Sequence, residues 1–324
     1  MATAHALIGK AAKLPMRPSL PIFSFLPVVV PSPGRPVDLE LRVTMPASGT
    51  ALPIVLLSHG QGRSNWLSSH HGYAPLAEFW AKQGFAVIQP THLSSSTLGL
   101  LGSSPPGNEM YWQSRPQDMI RILDHLDLIE ETVPGLKGRL DRDRVAVAGH
   151  SFGAQSASML LGAKNTDPRD ESEFRPYDPR IKAGVIITGS GNGGSDMSEN
   201  GKKMVPFYNL DFSSMTTPAL VVGGDIDVSP HLTVRGADWH WDGYTYGAGS
   251  KDLLLVKGGH HGLGGISGWD AAETQDEGPE RLGLVQRMTT AYMRSRLYEG
   301  DNSWELACKA LGEVTELGSV ESKQ

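Results

Sequence analysis

Gly149, Ser151 and Gly153 form a Gly-x-Ser-x-Gly pattern directly after the apolar residues 145–148. A serine hydroxyl becomes an effective nucleophile when a neighbouring base removes its proton. In a nucleophile elbow, a buried strand turns sharply into a helix, and the serine takes a strained conformation that small neighbours permit. Amides at the start of that helix favour the negative charge that develops on an attacked carbonyl oxygen. The pattern therefore predicts that Ser151 is a nucleophile in acyl transfer.

Two later apolar runs end in groups that could serve Ser151. Asp225 and Asp227 follow the first run, and His260 and His261 follow the second. In a catalytic triad the imidazole accepts the serine proton, and the carboxylate fixes the imidazole tautomer. The order Ser, Asp, His is one of the known triad orders, and the residues themselves leave both members of each pair open. Because the base must be neutral, activity is predicted to fall below about pH 6 to 7.

The segments around these residues predict strands that alternate with helices. Residues 37–43 alternate apolar and polar side chains, as a half-exposed strand near a sheet edge does. Continuously apolar runs predict strands buried on both faces, and apolar residues at spacings of three and four predict helices. Besides the run before Ser151, buried strands are predicted at 54–58, 85–89, 183–188, 219–223 and 253–257, and helices at 73–83, 117–133 and 280–298. The pattern predicts an α/β fold with a mostly parallel sheet and helices on both faces.

Several motifs resemble the α/β-hydrolase superfamily and, more narrowly, predicted dienelactone-hydrolase-like esterases and the platelet-activating-factor acetylhydrolase group. The motifs are residues 149–154, the Ser58-His59-Gly60 loop, residues 115–118 and residues 140–145, and the similarity spans about residues 38–298. The resemblance implies the α/β-hydrolase fold. Dienelactone hydrolases have a cysteine nucleophile, whereas this pattern has Ser151, so dienelactone itself is not the expected substrate.

The resemblance also implies roles for individual residues. In that group the acid follows a Gly-x-x-Asp pattern, which selects Asp227 over Asp225, and the histidine follows Gly-small-x-His, which selects His261 over His260. The unselected residues would then cap a helix or bind a backbone amide. The backbone amides of Gln61 and Phe152 are implied to form the oxyanion hole.

Aromatic residues are concentrated in the predicted loops and could line a substrate pocket. The candidates are Trp66, Tyr111, Trp112, Trp239 and Trp241. Apolar and aromatic side chains are common in small-molecule sites. The alternative is that these rings pack the loops onto the core. Residues 239–246 are of particular interest because they lie between the predicted acid and the predicted base.

No metal or cofactor is predicted. The histidine pairs 70–71 and 260–261 could suggest a metal, but adjacent residues rarely direct both rings to one ion, and no cluster of acidic ligands accompanies them. His59, beside the predicted oxyanion loop, and His150, inside the elbow, are interpreted as structural residues. The single cysteine, Cys308, excludes an internal disulfide and is interpreted as an idle thiol.

Charge and length exclude several classes of partner. The 324 residues include 29 basic and 35 acidic side chains, a formal charge of −6, which argues against nucleic acid or anionic membranes as partners. No run reaches the ~20 apolar residues of a membrane helix. Prolines interrupt the apolar residues 20–30, so a cytoplasmic location is favoured over export. We predict an irregular leader at 1–36, with a possible edge strand, a catalytic domain at 37–299 and a helical tail at 300–324.

These features predict a serine carboxylic-ester hydrolase that acts through an acyl-enzyme on small or medium, largely uncharged esters. An acyltransferase or an amidase could use the same triad, because the triad does not determine the acceptor. A non-catalytic binding protein of the same fold is a further alternative. The oligomeric state and the acyl preference are left open by the sequence.

Overall fold

The computed structural model describes residues 5–269 and 271–323. The strands are β1 (Ile22–Val30), β2 (Leu39–Pro46), β3 (Leu52–Ser58), β4 (Ala86–Pro90), β5 (Leu140–His150), β6 (Lys164–Thr166), β7 (Glu173–Phe174), β8 (Ile181–Ile187), β9 (Leu210–Asp211), β10 (Ala219–Gly224), β11 (Lys251–Val256) and β12 (Gly318–Lys323). The α-helices are α1 (His5–Ile8), α2 (Asn65–Ser68), α3 (Ala74–Lys82), α4 (Ser114–Asp124), α5 (Leu126–Thr132), α6 (Phe152–Leu160), α7 (Glu199–Met204), α8 (Asp242–Thr245), α9 (Pro279–Leu297) and α10 (Ser303–Leu311).

The large sheet has the strand order β1-β2-β4-β3-β5-β8-β10-β11-β12. Adjacent strands from β4 to β11 are parallel, whereas β1 with β2, β2 with β4, and β11 with β12 are antiparallel. Parallel strands bring their carboxyl ends to one edge of the sheet, which is where open α/β sheets bind ligands. The short strands β6, β7 and β9 form a separate antiparallel sheet.

The sheet is covered on both faces, which explains the continuously apolar strands. Along β3, Ile54 and Leu56 belong to the core on one face, whereas Val55 and Leu57 belong to the core on the other. This alternation follows from the two-residue period of a strand. Helices α4, α5 and α6 pack on the first face, and α3, α9 and α10 pack on the second. The predicted α/β-hydrolase fold, with a mostly parallel sheet and helices on both faces, is confirmed.

Both ends of the chain belong to the large sheet, which differs from the predicted division at residues 36 and 300. Residues 22–30 form β1 at the edge of the sheet and pair with β2, which is the edge-strand alternative to an irregular leader. The predicted tail at 300–324 contains α10, but it then forms β12, which pairs with β11. Exposed side chains recur along β1, and β12 is largely exposed. Both strands therefore lack the apolar run that identifies a buried strand. Residues 1–4 and 324 lie outside the described residues.

Three other predicted segments also differ in detail. The strand predicted at 37–43 is β2, which lies second from the edge and is more covered than expected. The helix predicted at 117–133 is divided into α4 and α5 at His125, whose backbone N–H and Nδ1 both donate to the carbonyl of Arg121, at 3.1 and 2.9 Å. Residues 164–180, where no strand or helix is predicted, contain β6 and β7.

None of the helices in the described residues is long and apolar enough to cross a membrane.

Candidate active site

Ser151 lies at the junction of β5 and α6 with φ 55° and ψ −120°. L-residues rarely adopt a positive φ, and the conformation is retained only where the surroundings enforce it. A Cβ on Gly149 would lie 2.1 Å from the Gly153 carbonyl oxygen, and a Cβ on Gly153 would lie 2.1 Å from the Ser58 carbonyl oxygen. Both glycines are therefore required by close backbone contacts, and the turn has the geometry of a nucleophile elbow.

The structure brings Asp227 and His261 together beside Ser151. His261 Nδ1 lies 2.9 Å from Asp227 Oδ2, and all three side chains line the same cavity. Because an ionised carboxylate only accepts, His261 donates through Nδ1 and keeps a lone pair on Nε2. Burial alone would raise the pKa of Asp227, but the hydrogen bond from His261 and the nearby imidazoles hold that pKa below its usual value. Asp227 is thus ionised behind a histidine that can accept a proton.

The two residues that the resemblance did not select have other contacts. Asp225 is exposed and its Oδ1 accepts a hydrogen bond from the Gly258 amide at 2.7 Å. Asp225 therefore binds a backbone amide, which is one of the two roles expected for the aspartate that is not the catalytic acid. His260 lies at the cavity wall, and its backbone amide donates to Asp276 at 3.0 Å.

His150, the residue before the nucleophile, connects the elbow to both neighbouring loops. Its Nε2 donates to the His261 carbonyl at 2.9 Å. Burial lowers the pKa of His150 to about 3, so its ring is neutral and Nδ1 accepts from the Tyr73 hydroxyl at 2.8 Å. The same hydroxyl accepts from the Gly60 amide at 2.9 Å. One chain of hydrogen bonds therefore sets the spacing between the histidine loop, the elbow and the loop after β3.

His59 fixes the peptide that carries the Gln61 amide. The His92 amide donates to His59 Nε2 at 3.0 Å, so His59 donates through Nδ1 to the Gly60 carbonyl at 2.6 Å. The carbonyl and the following N–H of a planar trans peptide point in opposite directions. The Gln61 N–H therefore points away from the His59 ring. The buried guanidinium of Arg115 holds the preceding carbonyl, that of His59.

Phe152 supplies the second predicted oxyanion amide. It is the first residue of α6, where an amide has no carbonyl one turn earlier in the helix to bind. Gln61 and Phe152 line the cavity together with Ser151. The loop after β3 and the first residue of α6 therefore both carry backbone amides at the cavity that contains the serine.

The cavity has a volume of about 550 Å³, within the ~300–1,000 Å³ range of small-molecule sites. Much of its wall is flexible and apolar: Met110, Met197, Met204, Val205, Ile226, Val228 and Leu232. Met110 comes from the long loop after β4, and the others come from segments that follow β8 and β10. Long loops commonly line binding sites, and those of this protein do so here.

One of the five predicted pocket aromatics, Trp239, lines this cavity, and the other four lie elsewhere. Trp112 is buried and stacks on Phe207 with ring centroids 5.2 Å apart. Its neighbour Tyr111 is also buried. The prediction for these two residues is corrected because they pack their loop onto the core, which was the stated alternative.

The other two aromatics differ from the prediction for separate reasons. Trp66 lies on a second surface cavity of about 400 Å³, which it shares with Phe79 and Trp269. The Trp241 indole covers the backbone of Gly223, where a Cβ would lie 2.4 Å from its Nε1. A loop aromatic can reach any surface near its loop, so composition alone could not separate these positions.

His240 is a residue of the site that the sequence did not reveal. Its Nε2 lies 3.7 Å from Asp227 Oδ2, it lines the same cavity, and its side chain is 2% exposed. Burial lowers the pKa of His240 despite the neighbouring carboxylate. The available signal was its position in the stretch 239–246, between the acid and the base.

A second Ser-His-Asp arrangement lies inside the protein. Ser58 Oγ is 2.9 Å from His92 Nε2, and His92 Nδ1 is 2.9 Å from Asp118 Oδ2. All three residues are buried. Arg35 forms an ion pair with Asp118 at 3.0 Å. Burial raises the pKa of Asp118 to about 6, although Arg35 opposes the shift.

Residues 54–261 match the alpha/beta hydrolase family model, and this range contains strands β4 to β11, most of β3, the elbow and His261. The chain belongs to the alpha/beta hydrolase family. No curated protein matches the chain. Hydrolase chemistry is the general activity of this family, and the matched segment begins in β3 and ends at His261.

Proposed function

We propose that this alpha/beta hydrolase is a serine carboxylic-ester hydrolase in which Ser151 is the nucleophile, His261 the base and Asp227 the orienting acid. The observation that carries the proposal is the 2.9 Å hydrogen bond from His261 Nδ1 to Asp227 Oδ2, in the wall of the cavity that also contains the strained Ser151. A histidine with its Nδ1 proton held by a carboxylate presents Nε2 as a base.

In the first half of the reaction, Ser151 Oγ attacks the ester carbonyl carbon while its proton passes to His261 Nε2. The resulting imidazolium is stabilised by Asp227. The carbonyl oxygen becomes an oxyanion that the amides of Gln61 and Phe152 bind. The tetrahedral intermediate then breaks its bond to the alcohol oxygen, which takes the proton from His261, and the acyl group remains on Ser151.

In the second half, water replaces the alcohol. His261 accepts a proton from water as its oxygen attacks the acyl carbon, and it returns the proton to Ser151 Oγ when the acid leaves. His150 and His240 stay neutral because burial lowers their pKa values. The positive charge of the cycle is therefore confined to His261.

The cavity favours small or medium acyl groups without a negative charge. Methionine and branched aliphatic side chains provide an adaptable apolar wall. Carboxylates of Asp227 and Glu273 line the same cavity and would repel an anionic substrate. The residues at 58–60 and 115–118 also support a relation to dienelactone-hydrolase-like and platelet-activating-factor-acetylhydrolase-like esterases, and we extend the catalytic domain to β1 and β12.

The proposal is tested by labelling the protein with a fluorophosphonate probe, mapping the labelled peptide, and measuring hydrolysis of p-nitrophenyl esters from acetate to long chains. We expect label on Ser151, none in Ser151→Ala, and full labelling in Ser58→Ala, the matched control in which the buried serine is removed. A chain-length optimum would define the acyl pocket. Absence of labelling in folded wild-type protein would contradict the proposal and favour a binding protein.

A further inference from the structure

Asp227 lies between two imidazoles, and the mechanism uses one of them. His261 Nδ1 is 2.9 Å from Asp227 Oδ2, and His240 Nε2 is 3.7 Å from the same oxygen. One ligand atom from each of the three residues lies within 4.8 Å of the other two. Two nitrogens and a carboxylate oxygen are a donor set that Zn²⁺ accepts.

The orientation of His240 is fixed by contacts behind it. Its Nδ1 lies 2.7 Å from the Gly189 carbonyl oxygen and must donate to it, because a carbonyl only accepts. Nε2 of the neutral ring is then an acceptor, and it receives the Ser229 hydroxyl at 3.2 Å. A backbone carbonyl on the far nitrogen is the usual support of a metal-binding histidine, since it fixes the tautomer and the ring plane.

In this orientation the unprotonated Nε2 of His240, which accepts from Ser229, also lies 3.7 Å from an ionised carboxylate oxygen of Asp227. Because the hydrogen bond to Gly189 places the ring proton on Nδ1, no hydrogen lies between Nε2 and Asp227 Oδ2. A cation between them would turn that contact into two bonds. Zn²⁺ bonds of ~2.0–2.1 Å place adjacent ligand atoms of a tetrahedron about 3.3 Å apart. The two nitrogens lie 2.9 and 3.7 Å from Asp227 Oδ2, and all three ligand atoms lie within 4.8 Å of one another.

We propose that Asp227, His240 and His261 bind Zn²⁺ and that the bound ion reversibly inhibits the enzyme. The binding itself is independent of the proposed function, whereas the inhibition rests on it. His261 is the entry point because its side chain is 36% exposed and lines the cavity. Hard cations such as Mg²⁺ and Ca²⁺ prefer all-oxygen sites, so they are not the expected ligands.

Inhibition follows from the tautomer of His261. Zn²⁺ takes the lone pair of Nδ1, so the proton that Nδ1 donated to Asp227 moves through solvent to Nε2, with no net release. The Nε2 lone pair that would accept the Ser151 proton is then lost. Asp227 is held by the metal at the same time and no longer orients the base. Chelation of the metal reverses each of these changes.

Binding is measured by isothermal titration of Zn²⁺ into Ser151→Ala protein, with Co²⁺ absorption as a readout of tetrahedral coordination. We expect one site and a Co²⁺ spectrum with the intense visible bands of tetrahedral nitrogen and oxygen ligands. His240→Gln should weaken binding at least tenfold, because loss of a ligand costs no less than loss of its supporting contact. His231→Gln, which removes an exposed histidine of the cavity wall, should bind as tightly as the parent.

Inhibition is measured on wild-type protein with a p-nitrophenyl ester in zinc buffers, followed by chelator. We expect loss of rate with the same midpoint as binding and full recovery on chelation. Equal zinc affinity in His240→Gln and the parent would overturn the inference. So would a parent protein that binds zinc no more tightly than a variant carrying both His240→Asn and His261→Gln. Thermal unfolding of each variant confirms that it is folded. Ester hydrolysis without zinc binding defeats this inference alone, and zinc binding without hydrolysis defeats the proposed function alone.

Discussion

The protein contains two arrangements of a serine, a histidine and an aspartate in which the carboxylate lies 2.9 Å from the histidine Nδ1, but their surroundings differ. In the buried one, Ser58 Oγ and Asp118 Oδ2 each lie 2.9 Å from a ring nitrogen of His92. In the candidate active site, Asp227 Oδ2 lies at the same 2.9 Å from His261. In the buried arrangement both hydrogen bonds of the histidine are formed, but a substrate cannot reach the serine. The residue types and their spacing therefore do not by themselves make a catalytic site.

The backbone at the two serines explains the rest of the difference. Ser58 is the last residue of β3 and pairs with Gly149 in the sheet, so its hydroxyl is enclosed by neighbouring strands. Ser151 lies two residues after Gly149 at a positive φ, which lifts it out of the sheet and places it before the amides of α6. Nucleophilic chemistry requires that exposure and an oxyanion site, whereas the buried arrangement stabilises the strand ends that carry the oxyanion loop.

The largest effect is expected from removing each serine in turn. Ser151→Ala should lower kcat by about 10⁶-fold, because the nucleophile of a triad acts as a unit with its base. Ser58→Ala should keep most of the rate and lower the free energy of unfolding by ~1–3 kcal/mol, since His92 Nε2 is left buried without a donor. Steady-state kinetics and urea unfolding of both variants measure the two effects. Comparable rate losses in the two variants would mean that the buried arrangement takes part in chemistry.

The carboxylates after β10 allow a second comparison. Asp227→Asn should lower kcat by about 10⁴-fold, because an amide can hold His261 in the wrong tautomer. Asp225→Asn is the matched control, since its Oδ1 can still accept from the Gly258 amide. We expect its rate to stay within about twofold of wild type. A large loss in Asp225→Asn with a small loss in Asp227→Asn would reassign the acid.

Features governed by a local pattern were predictable from the sequence. The buried strand predicted at 219–223 is Ala219–Gly224 in the structure, because a strand covered on both faces must be apolar throughout. The elbow was predictable for a similar reason, since close backbone contacts demand Gly149 and Gly153. The edge strands β1 and β12 do not have to meet either requirement. Their sequences therefore do not show that they belong to the same sheet as the buried strands.

Features that depend on how distant segments meet were not predictable. Ser58 lies in β3, His92 in the loop after β4 and Asp118 in α4, and no pattern in the sequence indicates that the three side chains meet. His240 reaches Asp227 because the segment between β10 and β11 folds back over the carboxyl ends of the strands. Trp112 is buried because it meets Phe207, nearly a hundred positions later in the chain. A linear pattern contains no signal for such encounters.

A smaller effect is expected where the active site depends on its supports. Tyr73→Phe removes the hydroxyl that contacts both the Gly60 amide and His150 Nδ1. Because loss of an oxyanion donor costs ~100 to 1,000-fold, a displaced donor should cost less, and we expect kcat to fall about tenfold with KM nearly unchanged. Initial rates measured at substrate concentrations below and above KM give the two constants separately. A rise in KM with constant kcat would show that Tyr73 shapes the substrate pocket instead of the oxyanion loop.

The smallest effect is expected from lowering the pH, because several buried imidazoles, including His92 of the buried arrangement, are uncharged in the folded protein. Burial lowers the pKa values of His59, His92 and His150. Below the ordinary histidine value of about 6.5, the unfolded chain takes up protons that the folded chain excludes, so the contribution to stability is complete above that pH and is lost as the pH falls. Asp118 acts oppositely, since its pKa is raised to about 6 and the folded state takes up the proton first.

Burial lowers the pKa of five histidines in all, since His70 and His240 are also affected, and it raises the pKa of two carboxyls, Asp118 and Asp242. The balance is a net loss of stability on acidification, with each net proton contributing up to about 1.4 kcal/mol per pH unit. We therefore expect the free energy of unfolding, measured by urea titration, to fall steeply between pH 6.5 and pH 5. His92→Gln should be less stable than wild type at pH 7 and should show a shallower slope, because one titrating group is gone. His231→Gln, at an exposed position, should retain the wild-type slope. A stability that is flat over this range would mean that the buried imidazoles are charged in the folded protein, and the buried arrangement would then be an ionised network held by Asp118.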